Sequence, residues 1–333
     1  MISINTADDG VKVQVDVQAR TVSVTFRDAA KRIEVNCVSD FGAVDDFTEA
    51  YLHRIDAAAR ASQPVSTDDI GTVHFRAMPV RLKLAMSYYT ERLQRIAGWL
   101  VSSRETTNFT YGLTDISLGY LSHVVAVTAG IDQPTALAYI KEPLADAELL
   151  DHLHRLTTAH SLRWCADDRP QFGRRLGWYA IVRARKPAVL VETGVDKGMG
   201  SVLLCAALRR NAAEGRAGVY YGTDINPAAG YLLTAPYAEH GRILYGDSIQ
   251  SLIRLEQPID IFINDSDHSV EYERREYATI QSKLAPGSMI LGDNSGHSPA
   301  LMEFAQVTGR RFLFYREEPR DHWYPGGGIG IAY

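Results

Sequence analysis

From residue 176 onward, short apolar runs alternate with amphipathic stretches, and this alternation restricts the fold more than any other feature. Seven runs are predicted as strands, at 188–194, 218–225, 242–247, 259–265, 288–294, 311–317 and 328–333. Helical spacing is found at 176–185, 200–211, 228–237, 272–284 and 299–308. The alternation predicts a mostly parallel sheet with helices on both faces. Ten residues separate the last two strands, too few for a crossover helix, so they should form an antiparallel hairpin at one sheet edge.

The first half of the chain has a different pattern. Apolar and polar residues alternate with period two at 11–17 and 21–26, and a third apolar run follows at 32–38, which together predict a small β-meander. Helical spacing follows at 45–61, 80–101, 116–129, 134–139 and 145–157. The segment 163–174 is polar and rich in turn-forming residues. We therefore predict an N-terminal auxiliary domain at 1–165 and a second domain at 171–333, in keeping with a length of 333 residues.

Composition limits the class of protein. Hydrophobic residues make up 46% and charged residues 23%, which is ordinary for a globular chain with a real core. A net charge of -5 argues against nucleic-acid binding. Neither a long apolar run nor the pattern of a signal peptide is present, so we predict no membrane partner. The scattered Cys37, Cys165 and Cys205 fit reduced thiols and a cytoplasmic location.

Polar residues follow five of the predicted strands at their carboxyl ends. The first strand ends at Glu192 and continues into a glycine-rich turn from Gly194 to Gly200. Such a turn admits a ligand close to the backbone and opens a helix that can bind an anion, but alone it fits a plain turn or a dinucleotide loop as well. The next four strands end in Thr223-Asp224-Ile225, Gly246-Asp247-Ser248, Asn264-Asp265-Ser266-Asp267-His268 and Gly292-Asp293-Asn294. Since ligands bind at the carboxyl ends of such strands, these ends predict one shared site.

In this order, the motifs E-x-G-x-x-x-G-x-G, TD, GDS, NDSDH and GDN resemble class I S-adenosylmethionine-dependent methyltransferases over roughly residues 176–333. The resemblance implies a Rossmann-like, seven-stranded methyltransferase sheet with a reversed final strand. It implies cofactor binding by Glu192, Gly194, Lys197, Gly198, Ser201, Asp224, Ile225, Asp247, Ser248 and Asp265. In this arrangement Asp224 binds the ribose hydroxyls, which disfavours NADP, while Asp247 and Ser248 lie on the adenine side.

The carboxylates after the fourth and fifth strands resemble those of metal-dependent O-methyltransferases, especially enzymes that methylate sugars of bacterial antibiotics. The resemblance implies that Asp265, Asp293 and Asn294 bind Mg²⁺, an ion that prefers oxygen ligands. The alternative is structural: Asp265 caps a loop or contacts the methionine amine, and the other two form a turn.

The same resemblance implies a general base two or three residues past the first metal ligand, at Asp267 or His268. His268 is the first candidate because an unperturbed histidine titrates near physiological pH. Asp267 is the second candidate, as a base or as the group that orients the imidazole, and His297 is the third. For each histidine the alternative is a surface or loop-stabilising role.

The sequence thus predicts an S-adenosylmethionine-dependent O-methyltransferase that acts on a hydroxyl of a small molecule, with a specialised bacterial metabolite as the substrate class. Two alternatives stay open: a metal-free N- or carboxyl-methyltransferase, and a non-catalytic cofactor-binding assembly protein. The segment at 108–114, with the two helices after it, resembles auxiliary regions that precede methyltransferase domains. Such regions cover the acceptor site or form dimers, which leaves homo-oligomerisation through the N-terminal domain open.

Overall fold

A computed structural model describes residues 2–5, 12–16, 21–25, 32–36, 78–161, 163, 167 and 169–333. The predicted helix at 45–61 lies outside these residues, as do Cys37 and Cys165. The chain divides into two compact units, Met1–Gln94 and Arg95–Tyr333, which are described separately below. The predicted domain limits at 165 and 171 stay a prediction.

The first unit contains a four-stranded antiparallel sheet in chain order. Its strands are β1 (Ile2–Asn5), β2 (Lys12–Asp16), β3 (Thr21–Thr25) and β4 (Arg32–Asn36). The predicted meander is confirmed over β2 to β4, and β1 adds a strand that the sequence analysis did not predict. Val22 lies opposite Val15 on one side and Val35 on the other, as the period-two pattern requires.

Four helices follow along the chain. They are α1 (Met78–Ser102), α2 (Asp115–Ala129), α3 (Gln133–Ala145) and α4 (Ala147–Ala159). Thr114, Asp132 and Asp146 begin the last three, since each side chain accepts a hydrogen bond from the backbone N–H three residues on. Gly130 ends α2 in the left-handed conformation, at a φ of 72°. Local capping therefore sets most of the helix boundaries here.

The second unit is built on a seven-stranded sheet in the order β10-β11-β9-β8-β5-β6-β7. Its strands are β5 (Val189–Thr193), β6 (Val219–Asp224), β7 (Gly241–Tyr245), β8 (Ile259–Asn264), β9 (Leu284–Asp293), β10 (Phe312–Tyr315) and β11 (Ile329–Ala332). Its helices are α5 (Arg175–Arg185), α6 (Met199–Ala213), α7 (Ser248–Arg254), α8 (Val270–Ile280) and α9 (Ala300–Val307).

The direction of the strands confirms the predicted α/β architecture. Strands β5 to β9 pair in parallel, and β11 runs antiparallel to both β9 and β10. The final hairpin therefore forms as predicted, with β10 at the sheet edge and β11 one position inside it. All five parallel strands consequently point their carboxyl ends toward the same rim of the sheet.

Two local predictions around β7 need correction. The predicted helix at 228–237 is wrong: the segment forms turns, with only a short 3₁₀ turn at Tyr237–His240. Gly230 adopts a φ of 76°, and a Cβ there would lie 1.9 Å from the Ile243 side chain, so the backbone leaves the helical region. Conversely, α7 was not predicted, although Asp247 caps it by accepting a hydrogen bond from the Gln250 N–H.

Apolar cores cover both faces of this sheet. Ile261 and Ile263 of β8 belong to the core formed with α2 to α6, whereas Phe262 between them belongs to the core on the other face. Cys205, the cysteine present among the described residues, is buried and unpaired. Over those same residues, no helix combines the length and the apolar character needed to cross a membrane. Since both faces are packed, the rim of strand ends is the part of the sheet left for a ligand.

Candidate active site

The carboxyl ends of the five parallel strands line one cleft of about 800 Å³. Gly194 follows β5, Asp224 ends β6, Asp247 follows β7, Asp265 follows β8 and Asp293 ends β9, and all five residues line it. The volume lies in the range of small-molecule sites. The sequence-predicted convergence is therefore present in the fold.

The glycine-rich turn after β5 forms one wall of the cleft. Gly194 has a φ of 81°, and a Cβ there would lie 1.9 Å from the Asp265 carbonyl oxygen, so no larger residue fits. The Asp224 carboxylate accepts hydrogen bonds from the backbone N–H groups of Val195 at 3.0 Å and Asp196 at 2.9 Å. Asp224 thus organises the turn as well as facing the cleft. Its neighbour Ile225 is 80% exposed at the cleft rim.

Asp247 and Ser248 meet a third polar group that the sequence analysis missed. The Tyr272 hydroxyl lies 3.1 Å from the Asp247 carboxylate, to which it donates, and 2.9 Å from the Ser248 hydroxyl. Tyr272 comes from the first turns of α8 and also lines the cleft. These three side chains form a polar cluster at this end of the cleft.

Other predicted cofactor residues lie beneath or beside the turn and do not line the cleft. Glu192 and Ser201 are buried, and the Glu192 carboxylate accepts hydrogen bonds from the Tyr220 and Ser201 hydroxyls. Gly198 caps α6 at a φ of 95°. The Lys197 ammonium donates to the neighbouring Asp196 carboxylate at 3.0 Å instead of turning into the cleft.

Burial raises the pKa of Glu192 to about 7, against an ordinary value of 4.5, although the Tyr220 hydrogen bond favours the ionised form. The unfolded chain releases this proton near pH 4.5 and the folded chain near pH 7. Ionisation of Glu192 therefore lowers the free energy of unfolding by an amount that grows between these two pH values and stays constant above pH 7. Replacing Glu192 by Gln should therefore raise the free energy of unfolding by about 3 kcal/mol at pH 8 and by clearly less at pH 5.

Urea unfolding at the two pH values measures this effect. The matched control is Glu256→Gln at an exposed carboxylate, which should change the free energy of unfolding little at either pH. An equal effect of Glu192→Gln at pH 5 and pH 8 would show that Glu192 does not titrate in this way.

Two carboxylates and a guanidinium lie together at the other end of the cleft. Arg174 donates to both carboxylate oxygens of Asp293, and their side chains are 3% and 0% exposed. Burial is the largest influence and opposes ionisation of Asp293, but the charge and hydrogen bonds of Arg174, with the hydrogen bond from Asp265, together lower the pKa of this carboxyl. Burial and then the charge of Asp293 raise the pKa of Asp265 well above its ordinary value. Arg174 thus pairs with the Asp293 carboxylate and not with the Asp265 carboxylate.

Arg174 belongs to a buried network that the sequence analysis did not find. It donates to the Tyr111 hydroxyl at 2.8 Å, and that hydroxyl donates to Glu317 at 3.2 Å. Glu317 in turn accepts hydrogen bonds from the backbone N–H groups of Gly327 and Gly328. A signal was present: two arginines stand at the N-terminus of α5, where the helix dipole disfavours positive charge.

His268 lies between three polar side chains at the cleft wall, and its own side chain is 35% exposed. Its Nε2 is 3.0 Å from Asn294 Nδ2 and 3.7 Å from Asp265 Oδ1, and its Nδ1 is 3.6 Å from Glu273 Oε1. The Glu273 carboxylate raises the pKa of His268, and burial opposes that shift. Asp265, His268 and Asp293 each place a metal-ligating atom within 4.8 Å of the others.

The remaining predicted residues occupy different positions. Asp267 lines the cleft, but its carboxylate accepts a hydrogen bond from the Ser269 N–H, and such hydrogen bonding lowers the pKa of Asp267. A carboxylate with a lowered pKa is a weak base. His297 is exposed and does not line the cleft. The Asn294 amide oxygen accepts a hydrogen bond from the Tyr324 hydroxyl at 2.9 Å, so its role as a metal ligand stays a prediction.

A comparison with protein families decides the class of this site. Residues 191–295 match a family model described as a methyltransferase domain. The chain therefore contains a methyltransferase domain. The matched segment runs from β5 through the residues after β9, so it contains all five strand ends of the cleft. The family match therefore includes the strand ends that line the cleft.

Solved structures similar to the methyltransferase share little sequence with it. The O-methyltransferase TomG from Streptomyces achromogenes, involved in tomaymycin synthesis, is 16% identical over 59% of this chain and 94% of its own, with a TM-score of 0.42. The methyltransferase PaMTH1 from Podospora anserina is 16% identical over 59% and 92%, with a TM-score of 0.41. An O-methyltransferase from Bacillus cereus is 13% identical over 66% and 91%, with a TM-score of 0.32. A search of the curated proteins found no match.

Proposed function

We propose that the methyltransferase transfers a methyl group from S-adenosylmethionine to a hydroxyl oxygen of a small molecule. The observation that carries this proposal is the position of His268 at the cleft wall, beside Asp265 and away from the end lined by Asp247. An alcohol is a poor nucleophile until its proton is removed, whereas a neutral amine attacks without that help. A basic imidazole beside the acceptor end therefore favours oxygen as the methylated atom.

The cofactor would lie along the rim with its adenosyl part toward β6 and β7. Asp224 would accept the ribose hydroxyls, and Asp247, Ser248 and Tyr272 would border the adenine. Arg175 also lines the cleft and is only partly buried, so its guanidinium suits the carboxylate of the methionine part. This orientation places the sulfonium near Asp265 and His268.

The chemical step needs placement more than activation, because the sulfonium is already reactive. The acceptor oxygen forms a bond to the methyl carbon while the bond from that carbon to sulfur breaks, which leaves S-adenosylhomocysteine. The hydroxyl proton passes to Nε2 of His268. The buried Arg174–Asp293 pair keeps this end of the cleft rigid and fixes the charge beside the acceptor.

The side chains at this end fit a divalent cation, and we include Mg²⁺ in the proposal. Burial and the charge of Asp293 disfavour ionisation of Asp265, and a cation bound by the two carboxylates would favour its ionised form. Asp265 and Asp293 would hold the ion, with Asn294 as the predicted third ligand, while Arg174 would orient Asp293 from behind. When bound, the ion would stabilise the alkoxide that forms on the acceptor.

Chelation tests the metal, and product analysis tests the methylated atom. Purified methyltransferase, S-adenosylmethionine and a panel of hydroxylated small molecules, including glycosides, should give products whose new methyl group is on oxygen. EDTA should lower the rate by at least about tenfold, and added Mg²⁺ should restore it. Asp265→Asn should lose the Mg²⁺ response.

Two results would contradict parts of this proposal. Products methylated only on nitrogen or on a carboxyl group would favour the alternative of a metal-free N- or carboxyl-methyltransferase. Full activity after chelation would contradict the role of Mg²⁺ but not the role of His268 as the general base. The hypothesis further includes a cytoplasmic location, the absence of nucleic-acid partners, and an auxiliary domain at 1–165 that forms homo-oligomers. Cell fractionation and measurements of the mass in solution would test the location and the oligomeric state.

A further inference from the structure

The amide of Asn294 fixes the protonation of one ring nitrogen of His268. Its oxygen accepts a hydrogen bond from the Tyr324 hydroxyl, so its nitrogen faces His268 Nε2 at a distance of 3.0 Å. An amide nitrogen can only donate a hydrogen bond. In the neutral ring, this contact therefore favours Nε2 as the acceptor and the ring proton on Nδ1.

Glu273 independently requires a donor at that second nitrogen. Its side chain is 3% exposed, and its Oε2 accepts a hydrogen bond from the Ser298 hydroxyl at 2.5 Å. Its Oε1 is buried and has no hydrogen-bond partner among the described residues. A buried carboxylate oxygen without a donor is costly, and His268 Nδ1 lies 3.6 Å away.

The distance is longer than a hydrogen bond, but a small rotation of the ring closes it. Hydrogen bonds of catalytic groups are often long in the free enzyme and tighten when substrate binds. Tyr324 orients the Asn294 amide and Ser298 orients the Glu273 carboxylate, and both contacts with His268 favour the same tautomer of the ring.

We propose that Glu273 is a positioning residue that, together with Asn294, holds His268 with its proton on Nδ1 and without a proton on Nε2, so that the acceptor hydroxyl can take the place of the Asn294 N–H at Nε2 when it binds. The inference rests on the proposed function, because His268 is the general base there. A histidine without such partners populates both tautomers in water, and only one of them presents a basic Nε2. Glu273 would thus act on the rate of methyl transfer without touching the cofactor.

The test combines a spectrum with two variants of the full chain. Histidine-selective ¹⁵N labelling and a long-range ¹H–¹⁵N spectrum above the pKa of the ring distinguish the protonated nitrogen from the free one, and His268→Gln assigns the signals. Glu273→Met removes the acceptor, whereas Glu273→Gln keeps an oxygen that can accept from Nδ1. We expect Nδ1–H in the wild type, a mixture of tautomers in Glu273→Met, and recovery in Glu273→Gln.

The kinetic result should follow the spectrum. Glu273→Met should lower kcat by about 10–100-fold with KM for S-adenosylmethionine nearly unchanged, and Glu273→Gln should restore most of kcat. A wild-type spectrum with the proton on Nε2 would overturn the inference, as would unchanged tautomer and kcat in Glu273→Met. If Glu273→Met does not fold, the wild-type and Glu273→Gln spectra still decide the tautomer.

Failure of the underlying function gives a different pattern. If His268→Gln keeps full kcat while Glu273→Met still changes the tautomer, His268 is positioned as inferred and the base assigned under the proposed function is wrong.

Discussion

Replacing His268 by Gln is expected to lower kcat by about 10²–10³-fold, because the acceptor hydroxyl loses the group that takes its proton. Glutamine fills a similar space but is not a base. His268 does not border the predicted adenosyl end, so the dissociation constant of S-adenosylmethionine should stay close to the wild-type value. Initial rates and isothermal titration on the same preparations measure the two quantities.

The controls separate the base from a general loss of structure. His123 is exposed on α2 and does not line the cleft, so His123→Gln should keep full activity. Asp267→Asn and His297→Gln test the other two candidates, and we expect each to retain most of kcat. A full loss of activity in Asp267→Asn, together with full activity in His268→Gln, would show that Asp267 is the general base.

Replacing Arg174 by Met is expected to destabilise the methyltransferase by about 3–5 kcal/mol, the usual cost of removing one partner of a buried ion pair. The variant would leave Asp293 buried beside Asp265 without the charge and the hydrogen bonds of Arg174, which lower the pKa of Asp293. The double variant Arg174→Met/Asp293→Asn should recover most of that stability, because it removes the unpaired charge. Urea unfolding at pH 7 measures all three proteins.

Tyr111→Phe is the matched control for this network. It removes the hydrogen bonds of this hydroxyl to Arg174 and Glu317 but leaves the contact between Arg174 and Asp293 in place, so a loss of about 1–2 kcal/mol is expected. If Arg174→Met were no less stable than Tyr111→Phe, the Arg174–Asp293 pair would not be the element that fixes this end of the cleft.

The sheet could be predicted because its determinants are local. Apolar runs of strand length with helices between them specify parallel strands, and the ten residues between the last two predicted strands, 311–317 and 328–333, are too few for a crossover helix. The segment 228–237 was predicted wrongly because its apolar residues have helical spacing, although Gly230 and Pro236 interrupt the helix. In this segment the backbone conformations at Gly230 and Pro236 decided the structure, and the helical spacing of the apolar residues did not.

The site was predictable only where backbone topology decides it. Asp224, Asp247, Asp265 and Asp293 come together because parallel strands share a rim. The Arg174–Asp293 pair joins residues 119 positions apart, and no spacing in the sequence reports such a contact. The orientation of His268 depends on side-chain rotamers of several elements, which a sequence pattern does not contain.

The central claim is that the five strand ends form one binding site for the adenosyl cofactor. Isothermal titration of the full chain with S-adenosylhomocysteine, wild type beside Asp224→Asn, tests it most directly. We predict one site of micromolar-range affinity in the wild type, weakened by at least about tenfold in the variant, or roughly 1.4 kcal/mol. Absence of binding to the wild type, or equal affinity in both proteins, would contradict the account.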